Sequence, residues 1–260
     1  MYMATAAKPG VPEPFVFMPR NQKPQLLFVL LHGESANPRQ LFPLAEAIGK
    51  AFPAAMIVLP YAREKWSADS HGADTQSADE ASTYYWIKPQ EIDAGNYAAH
   101  VAQVLPTLIG QIAALQQSYG LTGEHTALAG FSQGASVALE AAHAHSGLAG
   151  RVLAFSGLYA RMPDKVPPTT MLHFFHGADD QQVSADEVEA TLTRLGQLKG
   201  DATLDVASGV GHELHEALIS QAVVRLQTCV PLRSWEEALG MLQQKLTAPE
   251  QGRPARKTVH

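Results

Sequence analysis

The hydrophobic pattern of this chain switches repeatedly between two rhythms, and the switches mark its elements. Leu26-Leu27-Phe28-Val29-Leu30-Leu31 is an unbroken apolar run of strand length, as expected for a strand covered on both faces. Shorter runs predict further strands at Phe15-Val16-Phe17-Met18, at Ala55-Met56-Ile57-Val58-Leu59 before Pro60, at Thr126-Ala127-Leu128-Ala129, at residues 151–157, at 171–175 and at 202–206. Between them the apolar positions recur at helical spacing. Asn37-Pro38 opens such a pattern through Leu41, Leu44, Ala45 and Ile48. Residues 96–119 carry Val101, Val104, Leu105, Leu108, Ile112 and Leu115 on one face, with Pro106 as a candidate kink and Gly120 and Gly123 at the end. Helices are also expected over 186–198, 213–230 and 234–246, the last with Ser234 and Glu237 placed as a capping box.

This alternation predicts an α/β fold: a mostly parallel central sheet with helices on both faces. One domain over residues 1–246 is expected, followed by a frayed basic tail at 247–260. Residues 62–85 read as a long polar loop ending in Tyr84, Tyr85 and Trp86, the aromatics being candidates to line a pocket.

Composition narrows the function. At 260 residues and 46% hydrophobic the chain can bury a full core. Its formal charge of −6, without long single-sign blocks inside the domain, gives nothing to track a phosphate backbone, so no nucleic-acid partner is expected. The single cysteine, Cys229, excludes a disulfide framework and fits a reducing compartment. Residues 1–10 hold no sustained apolar run to serve as a signal peptide, and no stretch approaches membrane-span length; a cytoplasmic protein is expected.

In open α/β sheets the reactive groups lie beyond the carboxyl ends of the strands. That rule selects His32, Ser132, Ser156, the segment 176–180 and the segment 209–212. Gly130-Phe131-Ser132-Gln133-Gly134 has the form G-x-S-x-G, between an apolar run and a helical pattern, which is the setting of a nucleophile held at a sharp turn. A serine hydroxyl needs a base, and the base needs an acceptor to fix its tautomer. His212, in a glycine-containing loop, supplies the base, and Asp179 or Asp180 the acceptor; the pattern does not choose between the two. An acyl-transfer oxyanion needs two N–H donors. Gln133, after the serine, and Glu34, in the early loop His32-Gly33-Glu34-Ser35, are the candidates. A metal centre is not expected: Gly211-His212-Glu213-Leu214-His215 spaces its histidines three apart rather than four, and His143 and His145 point in different directions on a helix. No cofactor is needed.

With Leu30-Leu31-His32-Gly33, Ala129-Gly130-Phe131-Ser132-Gln133-Gly134, His176-Gly177-Ala178-Asp179-Asp180-Gln181-Gln182-Val183 and Gly211-His212 in view, the chain resembles the phospholipase/carboxylesterase family of α/β-hydrolases, which includes acyl-protein thioesterases and small bacterial carboxylesterases. The resemblance implies Ser132 as nucleophile, Asp180 as the acid, His212 as base, the Gln133 and Glu34 amides as oxyanion hole, and Trp86, with His32, near the substrate. It implies a serine carboxylesterase acting on short- to medium-chain esters. The alternatives are an acyl-protein thioesterase and, from another class, a non-catalytic binding protein of the same fold. One departure stands out. Where the family has an apolar residue, glycine and aspartate after His-Gly, this chain has Glu34-Ser35-Ala36, which is expected to narrow the entrance or disfavour anionic substrates.

Overall fold

The computed structural model describes residues 12–62, 64–65, 82–88, 92–93 and 95–228. By its contacts the chain separates into Met1–Gln227 and Thr228–His260. The expected helix over 234–246, its capping box, the tail at 247–260 and Cys229 all lie outside the described residues.

A seven-stranded sheet organises the first unit. Its strands are β1 (Phe15–Phe17), β2 (Leu26–Leu31), β3 (Ala55–Leu59), β6 (Thr126–Phe131), β7 (Arg151–Phe155), β8 (Met171–Gly177) and β9 (Ala202–Ala207), in the spatial order β1-β3-β2-β6-β7-β8-β9. Only the edge strand β1 runs antiparallel, pairing Phe15 with Leu59; the other pairs are parallel. The unbroken apolar runs follow from this. Leu27, Val29 and Leu31 face one core layer, where α2 (Tyr97–Tyr119) and α3 (Gln133–Ala144) contribute Val101, Leu108, Ala138 and Leu139. Phe28 and Leu30 face the other, closed by Leu44 and Ile48 of α1 (Phe42–Ala51) and by Leu218 and Ile219 of α5 (Glu216–Thr228). With both faces covered, no polar alternation survives in the strand.

The expected α/β architecture is therefore present, with local differences. The pattern opened by Asn37 begins as a short 3₁₀ turn, Pro38–Leu41, before α1; the Arg39 N–H donates to the Asn37 side chain at 3.0 Å. α2 runs unbroken through Pro106, whose missing N–H orphans a carbonyl on an exposed side where water can satisfy it. That helix is long and apolar enough to cross a membrane by length and composition alone, which corrects the expectation that no stretch approaches that length; Val101, Val104, Leu105, Leu108 and Ile112 bury its inner face in the core. Within the segment read as an unstructured loop, β4 (Glu64–Lys65) and β5 (Tyr84–Tyr85) pair antiparallel; residues 66–81 lie outside the described residues. A capping box not foreseen, Ser184 with Glu187, starts α4 (Ala185–Gln197). The helix expected from 213 begins at Glu216, because residues 211–215 turn back over the sheet and the Ala217 N–H donates to the His215 ring at the helix start.

His173 is a polar residue inside this core. It lies fully buried on β8, one ring nitrogen bonded to the Thr203 hydroxyl at 2.8 Å and the other without a partner among the described residues. Burial, with the nearby Arg151 and Arg225 charges, pushes its pKa down to about 4. The unfolded chain then binds a proton that the folded chain refuses between pH 6.5 and 4, so stability falls as pH drops through that window. Lowering the pH from about 7 to about 5 is expected to cost on the order of 1–2 kcal/mol through this group. Denaturant unfolding at the two pH values checks this: His173→Leu should flatten the slope of stability against pH, whatever it does to stability at neutral pH.

Candidate active site

Ser132 sits between β6 and α3 with φ 52° and ψ −118°, a region L-residues seldom occupy. What forces it there is crowding. A methyl group at Gly130 would overlap the Gly134 carbonyl, and one at Gly134 would overlap the Leu31 and His32 carbonyls, so both glycines of the G-x-S-x-G pattern are steric necessities. The Ser132 N–H donates to the Phe155 carbonyl at 2.9 Å, which ties the turn to β7. Its side chain is thereby lifted beyond the sheet edge, over the amino end of α3, where the first amides have no preceding turn to bond. The Gln133 N–H is the first of these, and the positive end of α3 faces any anion formed there.

Two other strand ends bring partners to the serine. His212 Nε2 lies 3.0 Å from Ser132 Oγ, and His212 Nδ1 lies 2.8 Å from Asp180 Oδ2. The other carboxylate oxygen of Asp180 accepts the Gln182 N–H at 2.8 Å and the Val183 N–H at 3.0 Å. Burial pushes the Asp180 carboxyl up, but the Val183 and Gln182 amides and the His212 ring outweigh it, and the group stays below the ordinary aspartate range. Asp179 is exposed, and its N–H is spent on the Val210 carbonyl. Gly177 allows the loop bearing His212 to approach, since a methyl there would overlap the Val210 and Gly211 carbonyls, and the Phe131 ring packs 5.0 Å from the His212 ring.

The early loop is braced from several sides. Gly33 N–H donates to the Gln40 side chain at 2.8 Å, and the Ser35 hydroxyl donates to the Tyr85 hydroxyl at 2.9 Å. The next residue, Glu34, is exposed, and its carboxyl is raised by partial burial. His32 is fully buried: its Nδ1 contacts the Gly33 carbonyl at 2.8 Å and its Nε2 accepts the Ala62 N–H at 3.1 Å, so burial holds the ring neutral with a pKa down to about 4. Trp86 is buried too; its indole N–H donates to the His32 carbonyl at 2.8 Å. Both residues expected near substrate thus stand in the structure as buried supports of the loop that carries Glu34.

Pattern reasoning overlooked what joins this loop to the serine. The Gln133 side chain is buried and accepts the Trp86 N–H at 2.9 Å and the Ile87 N–H at 3.1 Å, while its amide nitrogen donates to the Ile87 carbonyl at 3.3 Å. One residue thereby offers a main-chain donor beside Ser132 and clamps the 84–87 segment. Gln40 was likewise missed, since a glutamine in a helical pattern carries no local signal. Among the described residues no group of three or more His, Cys, Asp and Glu is placed to hold a metal. A groove of about 460 Å³ against α4, lined by Met162, Glu189 and Arg194 among others, holds neither Ser132 nor His212.

Residues 12–230 match the model of the phospholipase/carboxylesterase family. The esterase YpfH of Escherichia coli strain K12 is 32% identical over 225 residues, 86% of this chain and 92% of that protein. Among solved structures, esterase PE8 superposes with a TM-score of 0.71 at 25% identity, covering 84% of this chain and 99% of that one. The Bacillus cereus carboxylesterase gives a TM-score of 0.63 over 81% of this chain and 91% of that one; at 15% identity it speaks for the fold alone. The chain belongs to the phospholipase/carboxylesterase family.

Replacing Gln133 by Leu keeps the main-chain donor but leaves the Trp86 and Ile87 amides unpaired in a buried setting. Stability is expected to fall by about 2–4 kcal/mol, read as a lowered denaturant midpoint. Hydrogen exchange at the Trp86 and Ile87 amides should speed up in the same variant.

Proposed function

We propose that this member of the phospholipase/carboxylesterase family is a serine carboxylesterase, hydrolysing short- to medium-chain carboxylic esters through an acyl-enzyme. The observation that carries the reading is the continuous hydrogen-bonded chain Ser132 Oγ, His212 Nε2, His212 Nδ1, Asp180 Oδ2, at 3.0 and 2.8 Å.

In this reading Ser132 is the nucleophile. As its oxygen attacks the ester carbonyl, the proton passes to His212 Nε2, and the positive ring is held by the Asp180 carboxylate. Asp180 suits the task because its second oxygen is bound by the Gln182 and Val183 amides, so it remains ionised while its first oxygen faces the ring. The carbonyl oxygen, now negative, is received by the Gln133 N–H and the Glu34 N–H; among the described residues neither amide is committed to another group. His212 then protonates the departing alkoxide, leaving Ser132 acylated. Water enters where the alcohol left, gives its proton to His212, and releases the acid by the same route. His32 and Trp86 act as positioning residues: they fix the height of the Glu34 amide, on which the oxyanion depends.

The same geometry would cleave a thioester, whose better leaving group needs less help from His212. Values of kcat/KM for paired esters and thioesters of increasing acyl length distinguish the readings, a carboxylesterase keeping its highest values on short oxygen esters. Ser132→Ala should lower kcat by roughly 10⁴-fold or more, and Asp180→Asn by roughly 10²- to 10⁴-fold with KM little changed. Asp179→Asn, on an exposed side chain, should stay within about threefold of the parent. Equal losses for the two aspartate variants would assign the acid wrongly.

A further inference from the structure

Glu34 puts a carboxylate where it has no partner. Its main chain forms the turn after β2, one side of the proposed oxyanion site, and its side chain makes no hydrogen bond or ion pair among the described residues. The side chain is exposed, so it is open to an incoming substrate.

The turn that carries it is located by packing. A methyl group at Gly33 would lie 2.9 Å from a ring carbon of Phe131, the residue before Ser132, and Gly134, in the first turn of α3, rests on the His32 carbonyl. Glu34 therefore stands beside the first turn of α3, close to the reacting serine. The next carboxylate along that helix, Glu140, is occupied: it accepts the Ala160 N–H at 2.9 Å and the Arg161 amide, and so fixes the loop after β7. Glu34, by contrast, is unpaired among the described residues.

We infer that Glu34 makes the site select esters by charge, favouring substrates with a cationic group near the scissile carbonyl over neutral isosteres and rejecting those with a carboxylate there. The inference rests on the ester-hydrolase reading above. An unpaired carboxylate gains a counter-ion when a cationic substrate binds, and meets a second negative charge when an anionic one does. The effect grows in the transition state. The developing oxyanion lies on the amide of Glu34 itself, and a substrate cation between them offsets a repulsion that a neutral substrate leaves in place.

The test uses two substrate series with the full-length chain. One fixes an acetyl group and varies the alcohol: choline, its uncharged carbon isostere, and an alcohol with a carboxylate at the same distance. The other fixes methanol and varies the acyl group among trimethylglycyl, its carbon isostere and malonyl. In at least one series the wild type should show kcat/KM in the order cation, neutral, anion, with cation over anion by roughly tenfold or more at low salt. Glu34→Gln should collapse that ratio toward one, and Glu34→Lys should reverse it, ratios being immune to any change in overall activity. Should the variants fold poorly, the wild-type ratio alone decides, because an ionic origin requires it to shrink toward one in about 1 M salt. A salt-insensitive order, or the same order in wild type and Glu34→Gln, would overturn the inference while leaving ester hydrolysis intact. Failure to turn over even the neutral esters of either series would overturn both readings together.

Discussion

Everything at the candidate site depends on how closely α3 begins against the ends of β2 and β6. Gly134 rests on the Leu31 and His32 carbonyls, and Gly130 rests on Gly134, at separations that admit no side-chain carbon. With those contacts made, the chain between them has no ordinary conformation available. Ser132 is left at a positive φ, and the strain is held by the Ser132 N–H bond to Phe155 and by the core packing of Ala135, Ala138 and Leu139 behind it. The same approach brings the end of β2 beside the start of α3, so the turn bearing Glu34 and the first amide of α3 flank one serine.

The second organising feature is a division of labour between polar groups that are satisfied and those left open. Asp180 is buried, yet each of its oxygens is engaged, which is why a carboxylate persists there. His32 and Trp86 are engaged with backbone and with each other, their rings 5.4 Å apart, and the Gln133 side chain holds the 86–87 backbone. Against this braced background, among the described residues, the Gln133 and Glu34 amides, the Ser132 hydroxyl and the Glu34 carboxylate keep spare bonding capacity. A protein that holds its supports this firmly presents those groups with little freedom to reorient, and preorganised donors stabilise developing charge at small reorganisation cost.

Much of this was legible in the sequence because the physics that shapes it is local. Unbroken runs such as 26–31 announce a two-sided sheet, and glycines at fixed offsets from Ser132 announce the turn. The rule that reactive groups follow strand ends brought His212 and the 179–180 pair into consideration, but Asp179 and Asp180 differ only in which way the turn presents them. The sequence carries no period for that, and the family resemblance supplied the choice. The bonds made by Gln133, Gln40 and Trp86 were illegible for another reason. They join segments 7 to 54 residues apart and depend on rotamers that no local pattern encodes. The start of α5 at Glu216 rather than 213 reflects the same limit, because the preceding residues are drawn away by a tertiary contact, His212 with Ser132.

The central claim is that Ser132 is made nucleophilic by the groups gathered around it. Its most direct measurement is labelling with a fluorophosphonate, followed by mass spectrometry of the digested protein. The account predicts one adduct per chain, carried by the peptide containing Ser132, forming far more slowly when His212 is replaced by Ala. An adduct on another residue, or a Ser132 that labels equally fast without His212, would contradict it.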